Sequence, residues 1–264
     1  MTKPISFRER KFIKMKLALQ IYTLREYLGT DNIKDTLRRT KEMGYDGIEW
    51  FGLMGYTPAE LAELTRSAGL EFFSVHINMQ DVNECNTEVM DALAAEGVKW
   101  LPIGWLPEEC LAGGAEFEKT CALIRKYSKE AAARGMHVLY HNHDFDLVRL
   151  NDTTKLDALY AEMPGDVLGA ELDTCWLYSG GVDAAEYIVR YSDRSPVIHL
   201  KDCVKEGGRK SFKPVGSGVL NWDEILPVCG NAQWICVEMD EPSDGLDAFR
   251  CAEMSAGFLK SKLG

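Results

Sequence analysis

Residues 135–145 read Gly-Met-His-Val-Leu-Tyr-His-Asn-His-Asp-Phe, a glycine followed by an apolar segment and two histidines one residue apart. The segment Val138-Leu139-Tyr140 predicts a buried strand, and side chains two apart on a strand share a face. His141 and His143 are therefore predicted to point at one site. Buried imidazole nitrogens need polar partners, which a metal ion, a polar substrate or neighbouring backbone carbonyls would supply. This stretch alone leaves both a ligand site and a pair of core histidines open.

The same order of glycine and apolar strand recurs along the first half of the chain. Gly44 precedes Tyr-Asp-Gly-Ile-Glu-Trp, Gly69 precedes Leu-Glu-Phe-Phe-Ser-Val-His, and Gly97 precedes Val-Lys-Trp-Leu-Pro-Ile-Gly-Trp. A glycine after a helix accepts the left-handed conformation that turns the chain back. The spacings from Gly44 through to Gly135 are 25, 28 and 38 residues, about what a strand, two loops and a helix occupy. Each repeat is therefore predicted to be one unit of helix and strand.

The remaining elements are predicted from apolar periodicity, glycine stops and capping signals. Strands one, four, six, seven and eight are expected at residues 16–24, 101–106, 168–175, 197–201 and 234–239. Helices are expected at residues 32–43, 115–134, 153–163, 183–191 and 245–263, with a short one from residue 222. Another helix begins at Thr57-Pro58-Ala59-Glu60, a capping box with proline in the first turn. A basic loop is expected at residues 205–213.

Eight strands that alternate with eight helices predict an α/β fold, a single closed (β/α)8 TIM barrel, in a chain of 264 residues without a linker. An open doubly wound sheet is the competing fold, but its Gly-x-Gly-x-x-Gly fingerprint is absent. The barrel domain is assigned to residues 15–264. Residues 1–14, which carry several basic side chains, are expected to form a disordered N-terminal extension or to precede a start at Met15.

Composition and charge restrict the partners. A formal net charge of −11 and a pI near 5.0 argue against nucleic-acid binding, because phosphate binding needs a basic face. No apolar run approaches the roughly 20 residues that span a bilayer, and no signal-peptide core is present. A cytoplasmic protein without a membrane partner is therefore expected. The eight cysteines form no CxxC pair and are interpreted as free thiols in a reducing compartment, and a homo-oligomer is left open.

Polar residues gather at the predicted C-terminal ends of the strands, where a barrel of this kind forms its site. From strand two to strand eight they are Glu49, His76, His141, His143, Asp173, His199, Lys201, Glu238 and Asp240. Only His137, at the start of its strand, falls at the opposite end. Sugar C–H faces pack on flat rings, so the aromatic residues near these ends are predicted to floor a pocket, with core filling as the alternative: Tyr22, Trp50, Trp105 and Trp176.

Four of these residues, on adjacent strands, are predicted to bind one divalent metal ion: His141, Asp173, His199 and Glu238. Nitrogen and carboxylate donors together suit Mn²⁺, Zn²⁺, Co²⁺ or Fe²⁺, whereas Mg²⁺ and Ca²⁺ prefer oxygen alone. Mn²⁺ is the first expectation. The alternative for each residue is an ordinary salt-bridged polar group. Either His141 or His143 could supply the ligand from strand five.

Several segments resemble the sugar phosphate isomerase/epimerase family, a group of xylose isomerase-like barrels that includes inosose dehydratases and ketose 3-epimerases. They are Tyr-His-Asn-His-Asp-Phe at 140–145, Leu-Asp-Thr at 172–174 with Trp176, His-Leu-Lys-Asp at 199–202, Val-Gly-x-Gly at 215–218 and Val-Glu at 237–238. The resemblance covers the chain from about Met15 and implies that Asp173, His199 and Glu238 bind the metal. The family commonly places a glutamate and an asparagine on strand five, where this chain has His141-Asn142, so its two-glutamate mechanism does not carry over directly.

The resemblance implies a metal-dependent isomerase or epimerase that acts on a carbohydrate, a sugar or keto-sugar, through an enediolate. An ion that holds the substrate's carbonyl and a neighbouring hydroxyl makes the adjacent C–H bond removable by a base. Glu238 or His143 is the expected base, and Lys201 is expected to polarise or protonate the substrate oxygen. A salt bridge from Lys201 to Asp202 or Glu171 is the alternative. Substrate contacts are expected from Glu49, Trp50, His76, Trp105, Asn142 and Trp176.

Two other functions stay open. A dehydratase, that is a lyase, of a keto-cyclitol or 3-keto-sugar is favoured by His141 in place of glutamate. A non-catalytic barrel would bind sugar without needing the metal. An endonuclease of the same group is not expected, because that branch uses a larger set of histidines for three zinc ions and this chain has five histidines and a charge of −11.

Overall fold

Eight parallel strands close into a barrel in the computed structural model, which describes residues 15–29, 32–206, 209–242 and 244–263. The strands are β1 Lys16–Gln20, β2 Gly47–Trp50, β3 Glu71–Val75, β4 Trp100–Ile103, β5 His137–His141, β6 Gly169–Asp173, β7 Val197–Leu200 and β8 Trp234–Val237. β1 pairs with both β2 and β8, so the sheet has no free edge. The predicted TIM barrel is confirmed, and the extension predicted at residues 1–14 lies outside the described residues.

Helices surround the barrel in the described part of the chain. They are α1 Ile33–Met43, α2 Pro58–Ser67, α3 Met79–Glu84, α4 Thr87–Ala95, α5 Phe117–Ala132, α6 Lys155–Glu162, α7 Thr174–Ser179, α8 Ala184–Arg190, α9 Trp222–Val228 and α10 Ala248–Leu263. Short 3-10 helices occur at Ile21–Tyr27, Glu108–Cys110, Asp144–Leu147 and Cys229–Asn231. Two antiparallel hairpins pair Arg149–Leu150 with Thr153–Thr154, and Asp202–Glu206 with Arg209–Lys213. None of the described helices combines the length and hydropathy that a bilayer crossing needs.

The local signals for helix ends are present in the structure. Thr57 Oγ1 accepts a hydrogen bond from the Glu60 amide (3.3 Å), and the Thr57 amide donates to Glu60 Oε2 (2.8 Å). This is the predicted capping box before α2. The glycines that precede β2, β3, β4 and β5 adopt the left-handed conformation, with φ between 74° and 89° at Gly44, Gly69, Gly97 and Gly135. The predicted units of helix and strand are therefore confirmed.

Several predicted boundaries are corrected. β1 ends at Gln20 rather than at residue 24, because the Gln20 side chain accepts a hydrogen bond from the Tyr22 amide (3.2 Å) and begins a 3-10 helix. β6 ends at Asp173 rather than at residue 175, because Asp173 Oδ1 accepts from the Trp176 amide (2.9 Å) and caps α7. The basic segment at 205–213 belongs to a hairpin rather than a loop. Two helices, α3 and α4, lie between β3 and β4 where one was expected.

The interior of the barrel changes from apolar to polar along its axis. The lower half, toward the N-terminal ends of the strands, holds one buried cluster: Ala18, Phe73, Trp100, Leu139, Val197, Trp234 and Cys236. The rings of Phe73 and Trp234 stack there with centroids 4.0 Å apart. Above this cluster, Gln20 of β1 and Glu49 of β2 are completely buried, and Gln20 Nε2 donates to Glu49 Oε1 (3.1 Å). A buried charge needs a partner, so the upper half has to supply one for each.

Asp202 anchors the loop that follows the second hairpin. Its carboxylate accepts hydrogen bonds from the amides of Gly216 and Gly218 (both 3.0 Å) and of Leu220 (3.4 Å), and from Trp222 Nε1 (2.8 Å). A Cβ atom on Gly218 would lie 2.1 Å from Asp202 Oδ1, so a side chain does not fit at that position. The two motifs at 199–202 and 215–218 are thus parts of one buried contact that supports the end of β7.

We expect Gly218→Ala to lower the free energy of unfolding by about 1–3 kcal/mol, because its methyl group overlaps the Asp202 carboxylate. Gly257→Ala is the control, since Gly257 lies exposed on α10 with open space at its Cβ position. Alanine there should leave stability unchanged or raise it by up to about 1 kcal/mol. Urea unfolding measures both variants. Equal stability of the two would contradict the anchoring role of Asp202.

Candidate active site

Four side chains from adjacent strands meet at the upper end of the barrel. His141 ends β5, Asp173 ends β6, His199 lies in β7 and Glu238 follows β8. Each offers one ligand atom, and these atoms all lie within 4.8 Å of one another. All four side chains are buried. The structure therefore brings together the four residues that the sequence predicts as metal ligands.

The donor atoms of this upper group are two imidazole nitrogens and two carboxylates. His199 Nδ1 lies 3.2 Å and His141 Nε2 lies 3.9 Å from Glu238 Oε2. Asp173 Oδ1 accepts from the Trp176 amide, whereas Asp173 Oδ2 is buried without a hydrogen-bond partner. A buried carboxylate oxygen without a donor is unfavourable, and a cation would satisfy it. The donor set fits Mn²⁺, Zn²⁺, Co²⁺ or Fe²⁺ better than Mg²⁺ or Ca²⁺.

The ammonium of Lys201 lies beside the upper group and is 1% exposed. Its Nζ lies 2.9 Å from Glu238 Oε2, 3.1 Å from Asp240 Oδ1 and 3.5 Å from Asp173 Oδ2. Burial lowers the pKa of Lys201, but the charges of Glu238, Asp173 and Asp240 outweigh it and hold the pKa well above the ordinary value. Lys201 is therefore a permanent cation that draws three carboxylates together.

Glu238 stays ionised for the complementary reason. Burial raises the pKa of Glu238, but Lys201 and His199 outweigh burial and hold the pKa well below its ordinary value. A carboxylate with a lowered pKa is a good metal ligand and a weak base. Of the two roles predicted for Glu238, its surroundings favour that of a ligand.

A second set of charged side chains, which we call the lower ring, lies directly below the upper group: Glu49, His76 and Glu171. Glu171 Oε2 lies 2.9 Å from His76 Nε2, 3.1 Å from His141 Nδ1 and 3.3 Å from His199 Nε2. Glu49 Oε1 lies 2.6 Å from His199 Nε2 and 3.2 Å from His76 Nε2. His76, His141, Glu171 and His199 therefore form a second group with the composition of a metal site.

The lower ring corrects several predictions. Glu49 and His76 are predicted to bind substrate, but the structure surrounds them with protein groups beneath the mouth of the barrel. Burial lowers the pKa of His76, yet Glu49 and Glu171 raise it to about 10, so this ring is a cation that balances both carboxylates. The alternative salt bridges of Lys201 are wrong, because Glu171 faces three histidines and Asp202 is bound to its own loop.

Glu171 is a site residue that the motifs do not reveal. It stands two residues before Asp173 on β6, and that spacing places both side chains on the same face of the strand. The alternation that predicts His141 and His143 to share a face would therefore have found Glu171 as well.

His143 lies beside His141 with a free nitrogen. Its ring stacks on Phe145 with centroids 5.2 Å apart and lies 5.1 Å from the ring of Trp176. Its Nδ1 is buried without a hydrogen-bond partner. Burial, together with the nearby charges of His141 and Lys201, lowers the pKa of His143 to about 2. The structure therefore presents an uncharged imidazole whose plane is fixed by aromatic neighbours.

Trp176 lines the site next to the second hairpin. Lys210 Nζ lies 3.2 Å from the centre of its ring and 3.1 Å from Asp144 Oδ2. Phe212 meets the same ring edge-on, with centroids 5.7 Å apart. Trp176 Nε1 is buried without a hydrogen-bond partner. Lys210 belongs to the basic segment predicted to reach a phosphate, and here its charge is balanced by Asp144.

Three other predicted substrate contacts have different outcomes. Asn142 belongs to the cluster: its Oδ1 accepts from the Asp173 amide (3.0 Å), and its Nδ2 is buried without a partner. Trp50 does not, because it points out of the barrel, is completely buried and donates from Nε1 to Thr65 Oγ1 in α2 (3.1 Å). Trp105 is 54% exposed in the loop after β4, where a ligand can reach it but outside the buried cluster.

Asp146 holds the segment that follows β5. Its Oδ1 accepts from Tyr140 Oη (2.8 Å), and its Oδ2 accepts from the His143 amide (2.7 Å). These two hydrogen bonds fix the direction in which the chain leaves the strand and so place His143. Asp146 is completely buried, and burial raises its pKa to about 7 in spite of the two hydrogen bonds.

A closed parallel barrel with polar residues at the carboxyl ends of its strands is the arrangement of a known class. Residues 37–261 match the sequence profile of the family described as xylose isomerase-like TIM barrel, and the chain belongs to that family.

Individual relatives lie further away. The chain is 25% identical over 167 residues to inosose dehydratase 2 of Bacillus cereus, which covers 56% of this chain and 55% of that protein. The chain thus spans about half the length of the curated relatives it matches. A solved sugar phosphate isomerase/epimerase from Parabacteroides distasonis ATCC 8503 superposes with a TM-score of 0.77 at 20% identity over 98% of both chains. A D-allulose 3-epimerase from Methylomonas sp., solved with D-allulose, superposes with a TM-score of 0.70 at 14% identity over 94% of this chain and 97% of that one.

We expect Asp146 to make the protein less stable as the pH rises from about 4 to about 7. Its folded pKa lies above its unfolded value, so its stabilising contribution is full below the unfolded pKa of 3.8 and is lost as the pH passes the folded pKa of about 7. The slope is at most about 1.4 kcal/mol per pH unit. Urea unfolding of the wild type and of Asp146→Asn at pH values of about 5 and 7 measures it. The variant should lose less stability over this interval, and parallel losses would contradict the assignment.

Proposed function

We propose that this protein is a divalent-metal-dependent isomerase or epimerase that acts on a sugar or keto-sugar through an enediolate intermediate. The observation that carries the proposal is a group of buried polar atoms without hydrogen-bond partners around the upper group: Asn142 Nδ2, His143 Nδ1, Asp173 Oδ2 and Trp176 Nε1. Each such atom costs roughly 1–3 kcal/mol if left unsatisfied. A metal ion and a ligand with several hydroxyl groups would satisfy them together. The solved neighbour that binds D-allulose supports a sugar as that ligand.

The upper group is the preferred metal site. Its residues lie at the mouth, and Asp173 Oδ2 there has no hydrogen-bond donor. In the lower ring, by contrast, Glu171 Oε2 already has three imidazole nitrogens at 2.9–3.3 Å. Mn²⁺ is the first candidate, with Zn²⁺, Co²⁺ and Fe²⁺ as alternatives. Bound there, the ion supplies a Lewis acid that makes the C–H bond beside a substrate carbonyl more acidic.

His143 is the preferred base. Its imidazole is uncharged and its Nδ1 is free, whereas Glu238 is held ionised by Lys201 and fills a ligand position. A positioned base accelerates such a proton transfer by roughly 10² to 10⁴-fold. Return of the proton to the other face of the same carbon gives an epimer. Return to the neighbouring carbon gives an isomer.

Lys201 and Trp176 would assist the substrate from the side of β7. The raised pKa of Lys201 keeps its ammonium charged, so that it can stabilise negative charge as it develops on the substrate oxygen. Trp176 has a free indole N–H for a hydroxyl group, and the rest of its ring is apolar like the C–H groups of a sugar.

A dehydratase is the second candidate. The similarity to inosose dehydratases favours it, and so does His141 at the position where the epimerases have glutamate. The same proton abstraction followed by loss of a β-hydroxyl would then release water and leave a carbon–carbon double bond next to the carbonyl.

We expect protein purified without chelator to carry about one Mn, Zn, Co or Fe ion per chain, as the donor set implies. His141→Ala should lose the ion. His137→Ala should keep it, because His137 lies on the same strand but is exposed at the opposite end of the barrel. Elemental analysis of the two variants and the wild type measures this. Equal metal content in the two variants, or a wild type that neither retains metal nor binds added Mn²⁺, would remove the metal site.

Incubation of the metal-loaded protein with ketoses and keto-sugars separates the two reactions. We expect NMR spectroscopy to detect a stereoisomer or positional isomer of the same mass, without the ultraviolet absorbance of an enone. Glu238→Gln should lower turnover by roughly 10²-fold or more, whereas Glu253→Gln on the exposed face of α10 should not change it. An enone product would replace the isomerase by the dehydratase. Full activity of Glu238→Gln would exclude Glu238 from the site.

A further inference from the structure

His141 and His199 stand between the upper group and the lower ring, and each ring turns one nitrogen to each. His141 places Nδ1 at 3.1 Å from Glu171 Oε2 and Nε2 on the side of Glu238. His199 places Nε2 at 2.6 Å from Glu49 Oε1 and Nδ1 at 3.2 Å from Glu238 Oε2. A neutral imidazole has one N–H donor and one nitrogen with a free lone pair. The carboxylate below therefore selects the nitrogen that is left free above.

We propose that Glu171 and Glu49 are positioning residues that fix the tautomers of the two histidines, so that His141 binds the metal through Nε2 and His199 binds it through Nδ1. The inference rests on the proposed metal site and deepens it. A carboxylate that accepts from the outer N–H of a metal-bound histidine orients the ring and raises its basicity. The two histidines of this site thus present opposite nitrogens to one ion.

The barrel holds both carboxylates in these positions. The register of β5 with β6 places His141 directly opposite Glu171. Gln20 Nε2 donates to Glu49 Oε1, and Ser74 Oγ donates to Glu49 Oε2. Both glutamates are completely buried, so bulk water does not compete for these hydrogen bonds. Neither carboxylate can turn away without leaving several polar groups unpaired.

His76 connects the two positioning carboxylates. Its Nε2 lies 2.9 Å from Glu171 Oε2 and 3.2 Å from Glu49 Oε1. Among the described residues it joins the lower group of donor atoms but not the upper one. We therefore place His76 with the supporting residues rather than with those that touch metal or substrate.

Titration of the metal-stripped protein with Co²⁺ tests the inference, because the visible absorption of Co²⁺ reports its ligands. Glu171→Gln should weaken Co²⁺ binding by about 10 to 100-fold and change the spectrum. In a His141→Ala background the same substitution should cost little further affinity, because Glu171 acts through His141. Glu71→Gln is the control, since Glu71 is exposed at the start of β3, and it should bind Co²⁺ like the wild type.

The outcomes separate this inference from the metal site itself. Equal affinities of wild type and Glu171→Gln, or the same loss in both backgrounds, would overturn the positioning role and leave the metal site intact. A wild type that binds no Co²⁺ would overturn both.

The wild-type protein gives a second test that does not depend on the folding of a variant. In the Zn²⁺-loaded protein, long-range ¹H–¹⁵N correlations should place the remaining proton of His141 on Nδ1 and that of His199 on Nε2. The opposite tautomer at either residue would contradict the inference.

Discussion

The cost of burying charge inside a closed barrel is the constraint on which the rest of this structure depends. A buried ion without a partner costs several kcal/mol, so each one needs a counter-charge within reach. Lys201 has three carboxylates around it, and Glu171 has three imidazoles. The apolar cluster in the lower half closes the barrel beneath them, and the hairpin that carries Lys210 covers Trp176 beside them. The result is a fixed set of donors and acceptors that is ready for a cation and a polar ligand before either arrives.

The two rings of charge divide the work between them. The upper group has an exposed side, atoms without partners and the residues of the family motifs, so it is the place where a ligand can act. The lower ring has no such side, since Glu49 and Glu171 are completely buried and surrounded by donors. A site with histidine on β5 needs this support more than one with glutamate, because an imidazole must be held in the correct tautomer and a carboxylate need not be.

Two simple rules made much of this arrangement predictable from the sequence. Glycine stops before apolar segments predicted the alternation of helices and strands, and four such glycines have the left-handed conformation that the rule requires. The rule that active residues lie at the carboxyl ends of barrel strands then selected the upper group, whose members the structure brings within 4.8 Å. What the sequence could not supply was the inward or outward direction of single residues and the identity of their partners across strands. Glu49 and Trp50 both end β2, yet alternation sends only Glu49 inward, and the partners of Lys201 depend on the closure of the barrel.

A crystal structure of the Mn²⁺-loaded protein, with diffraction data collected at the manganese absorption edge, tests the central claim most directly. We expect one strong anomalous peak at the upper end of the barrel, about 2.0–2.3 Å from nitrogen or oxygen atoms of the four upper-group side chains, His141, Asp173, His199 and Glu238. A peak in the lower ring between Glu171 and His76, or no peak in either group, would contradict it.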